Sequence, residues 1–169
     1  VQAIRSKVPQ AKIEILVPDF ADSEMELVAA SNPDVLAHNV ETVKRLQGVR
    51  DARASFEKSL ATLAQAKKRG ILTTKSSILL GLGETRDELK ETYRELRKAD
   101  VDILVLGQYL RPSVQEIPIV EYVHPDTFRL YAKDAREAGF STVVASPFAR
   151  TSYHALDAWQ ARTQPGKGD

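Results

Sequence analysis

The chain has 169 residues, 43% of them hydrophobic and 28% charged, the composition of one ordinary globular domain. Its 24 basic and 23 acidic residues nearly cancel, so bulk charge points to neither nucleic acid nor an anionic membrane as partner. No apolar run approaches the ~18 residues that span a bilayer and nothing reads as a signal peptide, while the absence of cysteine excludes disulfides and thiolate metal ligands within the chain.

Taken in order, "VQAIRSKVPQ" spaces Val1, Ile4 and Val8 for one helix face and reads as the middle of a helix, so the chain is expected to start inside a longer protein. "KIEILV" (12 to 17) alternates Ile13, Ile15 and Val17 against Lys12, Glu14 and Leu16, a mostly buried strand. "SEMELVAAS" is a helix opened by Asp22 or Ser23, and "PDVLAHN" (33 to 39) is the next strand. From Ser55 to Arg69, Phe56, Leu60, Leu63 and Ala64 fall on one face of a helix with a basic last turn, stopped by Gly70. "TTKSSILLGLG" is a strand ending in glycines, and "TRDELKETYRELRKA" is a helix with a Thr85 and Glu88 capping box. "VDILVLGQYL" is a buried strand, "HPDTFRLYAKDAREAGF" a helix with Pro125 in its first turn and Gly139 at its end, and "STVVAS" (141 to 146) the last strand. The tail "TQPGKGD" has the composition of a disordered end.

Alternating strands and helices give βα units and a parallel sheet, either open and Rossmann-like or a barrel. In both, functional residues lie past the carboxyl ends of strands, here "PDF", "HNVET", "GLGET", "GQYLRPS" and "SPFARTSYHA".

Asn39 and Glu41, two residues apart in extended chain, share a side, and a carboxamide beside a carboxylate can chelate a vicinal diol such as ribose. Capping of the following helix is the alternative, and spacing alone favours it. In "GLGET", Gly81 and Gly83 let backbone approach a ligand at a helix start, although the third glycine of the dinucleotide fingerprint is missing; a simple capped turn needs no ligand. Gln108, Tyr109 and Arg111 end the most apolar strand, where Gln108 either faces a ligand or satisfies loop backbone. "RTSYHA" places Ser152 two residues from His154, but no nucleophile elbow is present and a hydrolase is discounted. His38, His124 and His154 could form a metal trio, which their spacing does not favour.

In this order "VPDF", "AHNVETV", "TKSSILLGLGET", "VDILVLGQYLRPS" and "ARTSYHA" resemble the C-terminal part of the lipoyl synthase family, from near Val1 to about Ala155. The resemblance implies an α/β fold of alternating βα units, the C-terminal half of a partial (β/α)6 radical S-adenosylmethionine (SAM) barrel over residues 1–149, with a C-terminal extension, 150–169, carrying the motif and a flexible tail. Half a barrel should leave two sheet edges and an unpaired apolar face, so association or poor solubility is expected of it alone.

It further implies a sulfurtransferase. Enzymes of this kind reduce SAM at a 4Fe–4S cluster to a 5′-deoxyadenosyl radical and insert two sulfur atoms, drawn from an auxiliary 4Fe–4S cluster, into an octanoyl chain. That chain is carried by a lipoyl-domain or glycine cleavage H-type protein; the compartment is cytoplasmic, or mitochondrial or plastid in a eukaryote. The family's cysteine triplets are absent here, so this chain alone is expected to bind neither cluster and to show no turnover without the missing N-terminal part. In the family a serine of R-S-S-Y ligates the auxiliary cluster; "RTSY" matches with Ser152 as that metal ligand and Thr151 second, and Arg150 offsets negative charge nearby as a catalytic neighbour. An alkoxide is a harder, more displaceable ligand for iron than a thiolate, which suits a cluster that gives up sulfur. Asn39 and Glu41 match SAM ribose contacts, Gly81, Gly83 and Glu84 the passage of its methionyl or adenine part, and Gln108 and Arg111 the channel toward the octanoyl chain or cofactor. Two departures stand out: "SPFARTSY" where the family reads "SGPLVRSSY", and Arg111 where glutamine is usual. A biotin synthase-like enzyme, sharing an "HNVET" counterpart, and a cluster-free relative that only binds a carrier protein are the other readings.

Overall fold

The structure is a computed structural model that describes residues 1–20, 22–152 and 155–163. Five strands, β1 (Glu14–Leu16), β2 (Val35–Ala37), β3 (Thr74–Leu80), β4 (Ile103–Gln108) and β5 (Thr142–Ala145), are all parallel and pair in chain order. That order decides between the two architectures left open by the pattern, because a doubly wound sheet reverses at a switch point and a barrel does not. The fold is α/β, a partial barrel of βα units.

Helices α1 (Gln2–Lys7), α2 (Asp22–Ala30), α3 (Phe56–Lys68), α4 (Arg86–Lys98), α5 (Pro125–Glu137) and α6 (Ala155–Thr163), with a 3₁₀ turn Lys44–Val49, make up the rest. Their starts follow the local chemistry. Ser55 accepts from the Lys58 amide, Thr85 and Glu88 close a reciprocal box, and His124 Nδ1 accepts from the Asp126 amide ahead of Pro125.

Strand alternation then sorts residues by face. Ile78 and Leu80 of β3 and Leu104 and Leu106 of β4 bury against Leu63 of α3, Leu89, Tyr93 and Leu96 of α4 and Phe128 of α5. Val17, Leu36 and Ile71 form a smaller cluster with Met25 of α2 and Ala66 of α3. The other face carries Glu14, Ala37, Lys75, Ser77, Val105 and Gly107.

That second face corrects one expectation. Val35, Ile103 and Val105 lie on it, yet they are 3%, 1% and 2% exposed. The chain after β5 folds back over it: α6 packs on β5, and Lys12, beside the opposite edge strand, places Nζ 4.4 Å from the Trp159 ring centroid. Sequence reading gave residues 150–169 no helix, because α6 has little apolar periodicity to announce it. The expected disordered tail, 163–169, starts on Thr163, which is the last residue of α6, and its residues 164–169 lie outside those described. Conversely, α1 forms as the pattern predicts, but none of its residues is buried and Ile4 is half exposed.

Arg86 ties α4 to α5. Its Nε and Nη2 donate to Asp134 at 2.6 and 2.8 Å, with Lys90 Nζ at 3.7 Å. Asp134 is buried, and the guanidinium beside it holds its carboxyl below the usual range. A depressed carboxylate stabilises above its unfolded pKa and loses that contribution as pH falls through the folded value. Arg86→Gln should therefore lower unfolding free energy at neutral pH, since it leaves the buried Asp134 carboxylate without its forked partner. The deficit should shrink below the ordinary carboxylate range, and urea titrations giving the same deficit at about pH 7 and about pH 2 would exclude this account.

Candidate functional site

The carboxyl ends of β2, β3 and β4 and the chain after β5 converge on one mouth. A cavity of about 210 Å³ there is lined by Asn39, Glu41, Ser77, Leu79, Gly107 and Arg150. A wider cleft of about 740 Å³, between the ends of β1 and β2 and the start of α3, shares Asn39 and Glu41 and adds Asp19, His38 and Arg50. Asn39 and Glu41 thus stand where the two spaces meet.

Neither residue caps a helix. The 3₁₀ turn begins at Val43 without a side-chain cap, and α3 is capped by Ser55. Glu41 instead lies beside β3 through its backbone, donating to Ser77 O at 3.1 Å and accepting from the Leu79 amide at 2.8 Å. Its φ is 62°, a left-handed conformation that costs a residue with a Cβ about 1–2 kcal/mol. Among the described residues its carboxylate has no hydrogen bond or ion pair.

Sequence reading missed Arg50. Its guanidinium donates to Gln47 Oε1 at 2.7 Å, Ser59 Oγ at 3.0 Å and Asn39 O at 3.3 Å, and no carboxylate among the described residues pairs with it. A half-buried cation satisfied only by neutral groups, on the wall of an open cleft, suits an anionic ligand. No short motif surrounds Arg50; only the fold brings it beside Asn39.

His38 is buried against the cleft floor, with Nδ1 2.8 Å from Val17 O, so Nδ1 carries the proton. Its Nε2 lies 2.9 Å from Asp19 Oδ1, within ion-pair distance but without hydrogen-bond geometry. His124 is occupied at the start of α5. No group of three or more His, Asp or Glu side chains among the described residues could hold a metal ion, and His154 lies outside them.

The "GLGET" turn is largely self-contained. Glu84 accepts from the Gly81 and Leu82 amides at 2.7 and 2.9 Å, and the Gly83 carbonyl accepts from Arg45 at 2.8 Å. Gly81 has φ +96°, and a Cβ there would run into the Glu121 carbonyl and the Gln108 amide. Gln108 donates to Leu80 O, Tyr109 O and Glu121 O at 3.0–3.1 Å and accepts from the Val123 amide at 2.9 Å. With its N–H groups spent on backbone, Gln108 satisfies the loop. Arg111 also folds its own loop, donating to Glu116 O at 2.8 Å and to Val114 O.

Residues 147–152 cross the inner face. Arg150 Nη1 donates to Ala149 O at 2.7 Å directly over Gly107, where a Cβ would collide with that carbonyl. Thr151 Oγ1 donates to Asn39 Oδ1 at 3.2 Å, joining positions 112 residues apart. Ser152, next to Thr151, is exposed, and Tyr153 lies outside the described residues.

A parallel partial barrel with a polar pocket at its strand ends defines a class, and residues 1–96 match the radical SAM superfamily; the chain belongs to it. Within that superfamily it is similar to proteins named lipoyl synthase. It is 47% identical to that of Thermus thermophilus over 168 residues, 97% of this chain and 52% of the relative. It is 46% identical to that of Flavobacterium psychrophilum over 157 residues, 92% of this chain and 54% of the relative. A Toxoplasma gondii relative named as the apicoplast lipoyl synthase is 49% identical over 159 residues, 92% of this chain and 29% of that protein. The chain spans about half the length of the two bacterial relatives. No helix among the described residues is long and apolar enough to cross a membrane.

Gly107→Ala should displace the 147–151 segment and cost about 2 kcal/mol or more. Gly48→Ala, with nothing within 4 Å of the added Cβ, should change stability by less than ~0.5 kcal/mol. Equal urea midpoints for the two variants would show that the close approach at Gly107 carries no weight.

Proposed function

We propose that this chain is the part of a lipoyl synthase that binds SAM at its strand ends and presents Ser152 to an auxiliary 4Fe–4S cluster, in an enzyme that inserts two sulfur atoms into a protein-bound octanoyl chain. The observation that carries the reading is the Thr151–Asn39 hydrogen bond, which sets the hydroxyl-bearing segment beside the polar pair in one mouth.

The donors present fit SAM. Asn39 and the unpartnered Glu41 carboxylate offer a carboxamide and an acceptor for a ribose diol, and Arg50 offers a forked donor to an amino-acid carboxylate. The cleft of about 740 Å³ is within the range of small-molecule sites. On this reading the turn of Gly81, Gly83 and Glu84 lies along the bound SAM, with Gln108 holding the loop packed against that turn. When bound, SAM and the clusters supply the radical and the sulfur. This chain's residues orient the ligand, and residues 147–152 cover the inner face against water.

With no cysteine the chain supplies no thiolate to either cluster; on this reading its contribution is the Ser152 hydroxyl, with Thr151 second, and the thiolate ligands belong to the part of the enzyme beyond it. Arg150 lies one residue from Thr151, close enough to offset negative charge at such a cluster. The octanoylated lipoyl-domain or H-type carrier approaches the same mouth, and the compartment follows that carrier. Supplied with iron and sulfide, the isolated chain should form no cluster and turn over nothing; a stable cluster on it would contradict this division.

In the natural-length enzyme, Ser152→Ala should keep SAM cleavage while lowering sulfur insertion at least about tenfold. Equal loss of both activities would remove Ser152 from the auxiliary cluster. Glu41→Ala and Arg50→Ala should each weaken SAM binding about tenfold, ~1.4 kcal/mol, in equilibrium titrations. Unchanged affinity in both would empty this cleft of SAM.

A further inference from the structure

Lys75 lies on the inner face of β3 and is 1% exposed, and the function proposed above makes no use of it. Taking an ammonium out of water costs several kcal/mol, and a buried ion pair seldom returns more than that, so an apolar side chain would serve a core better. What the ammonium does bond to is therefore informative.

Its three N–H groups meet three acceptors. Glu14 Oε1 and Oε2 lie at 3.1 and 3.0 Å, and the third acceptor is the Thr151 carbonyl. Glu14 belongs to edge strand β1 and Lys75 to β3. On β2 between them, Ala37 stands opposite Lys75 with only a methyl group, leaving the side chain a path across the inner face. A hydrogen bond from a charged donor to one backbone carbonyl is among the stronger single contacts available to a loop.

We infer that Lys75, oriented by Glu14, is the positioning residue of the 150–152 segment: it fixes the Thr151 carbonyl and so sets where the Ser152 hydroxyl stands at the mouth. The inference rests on the reading of Ser152 above only for its chemical consequence; the positioning itself is a property of this chain. Two further contacts bear on the same three residues, Thr151 Oγ1 on Asn39 and Arg150 over Gly107. The Lys75 contact differs from both in grasping main chain, so it is indifferent to the Thr that stands in the first hydroxyl position.

The test uses Lys75→Met in the natural-length protein, read by trypsin cleavage after Arg150 and, as an internal reference, after the exposed Arg129 on α5. Cleavage in the folded state reports local opening. Cleavage after Arg150 is expected to accelerate about tenfold with Arg129 unchanged, and sulfur insertion to fall while SAM cleavage persists. Unchanged cleavage after Arg150, or an equal rise at both sites, overturns the inference, the latter because Lys75 would then support only the sheet. A selective rise after Arg150 with full sulfur insertion upholds the positioning and sinks the role given to Ser152. Should Lys75→Met fail to fold, Glu14→Gln keeps the shape and removes the orienting charge. It is expected to raise Arg150 cleavage about threefold, and no rise at all overturns the inference equally.

Discussion

One buried ammonium joins three parts of this molecule that the chain keeps far apart. Lys75 reaches from β3 to Glu14 on the edge strand and to the Thr151 carbonyl beyond the last strand. β1 is only three residues long and pairs with β2 alone, so a tie across β2 to β3 adds a second hold on an otherwise marginal edge. The same tie brings down the chain that covers the inner face. Sheet edge, sheet centre and covering segment are thus referred to one point, and the geometry of the mouth follows from it.

Above that point stand a residue with a left-handed backbone and a cation without a carboxylate partner among the described residues. The helices are conventionally finished: α3, α4 and α5 are capped at their N-termini, and Asp134 is buried with a forked partner. At the strand ends the pattern reverses. Glu41 sits at a positive φ with a carboxylate that no described residue engages, and Arg50 holds its charge against neutral groups. Each feature costs on the order of 1 kcal/mol or more in the protein by itself. Both residues line one cleft, where a ligand can meet the two charges together.

Much of the fold was legible because its signals are local. A capping box, a proline at a helix start and period-two apolar alternation each act over a few residues, and each sits where the sequence placed it. The positions of Asn39 and Glu41 at a strand end were equally readable, since alternation and the βα rule fix them. What the sequence hid depends on distance. Arg50 has no motif around it, and Lys75 sits inside an apolar strand as an apparent exception whose partners are 61 and 76 residues away. For Gln108 the strand end alone leaves ligand and loop open, and the loop bonds depend on the Glu121 and Val123 backbone, 13 and 15 residues on. Helix α6 was missed for another reason: its packing comes from β5 and Lys12, not from a periodic apolar face of its own.

The last two residues of β4 show how little sequence organises the mouth. Successive residues of a strand face opposite sides, so Gly107 belongs to the inner face and Gln108 to the helix side. Gly107 has no side chain, and the Ala149 carbonyl and Arg150 guanidinium occupy the space a Cβ would need. Gln108 spends its amide on closing residues 109–123 against Leu80 and Gly81, the very turn where the other essential glycine stands. A larger residue at 107 would lift the segment that carries Ser152, whereas a smaller one at 108 would loosen the 109–123 loop on the other side of the same strand. One dipeptide therefore holds two segments through opposite means, an absent side chain on one face and a fully engaged one on the other.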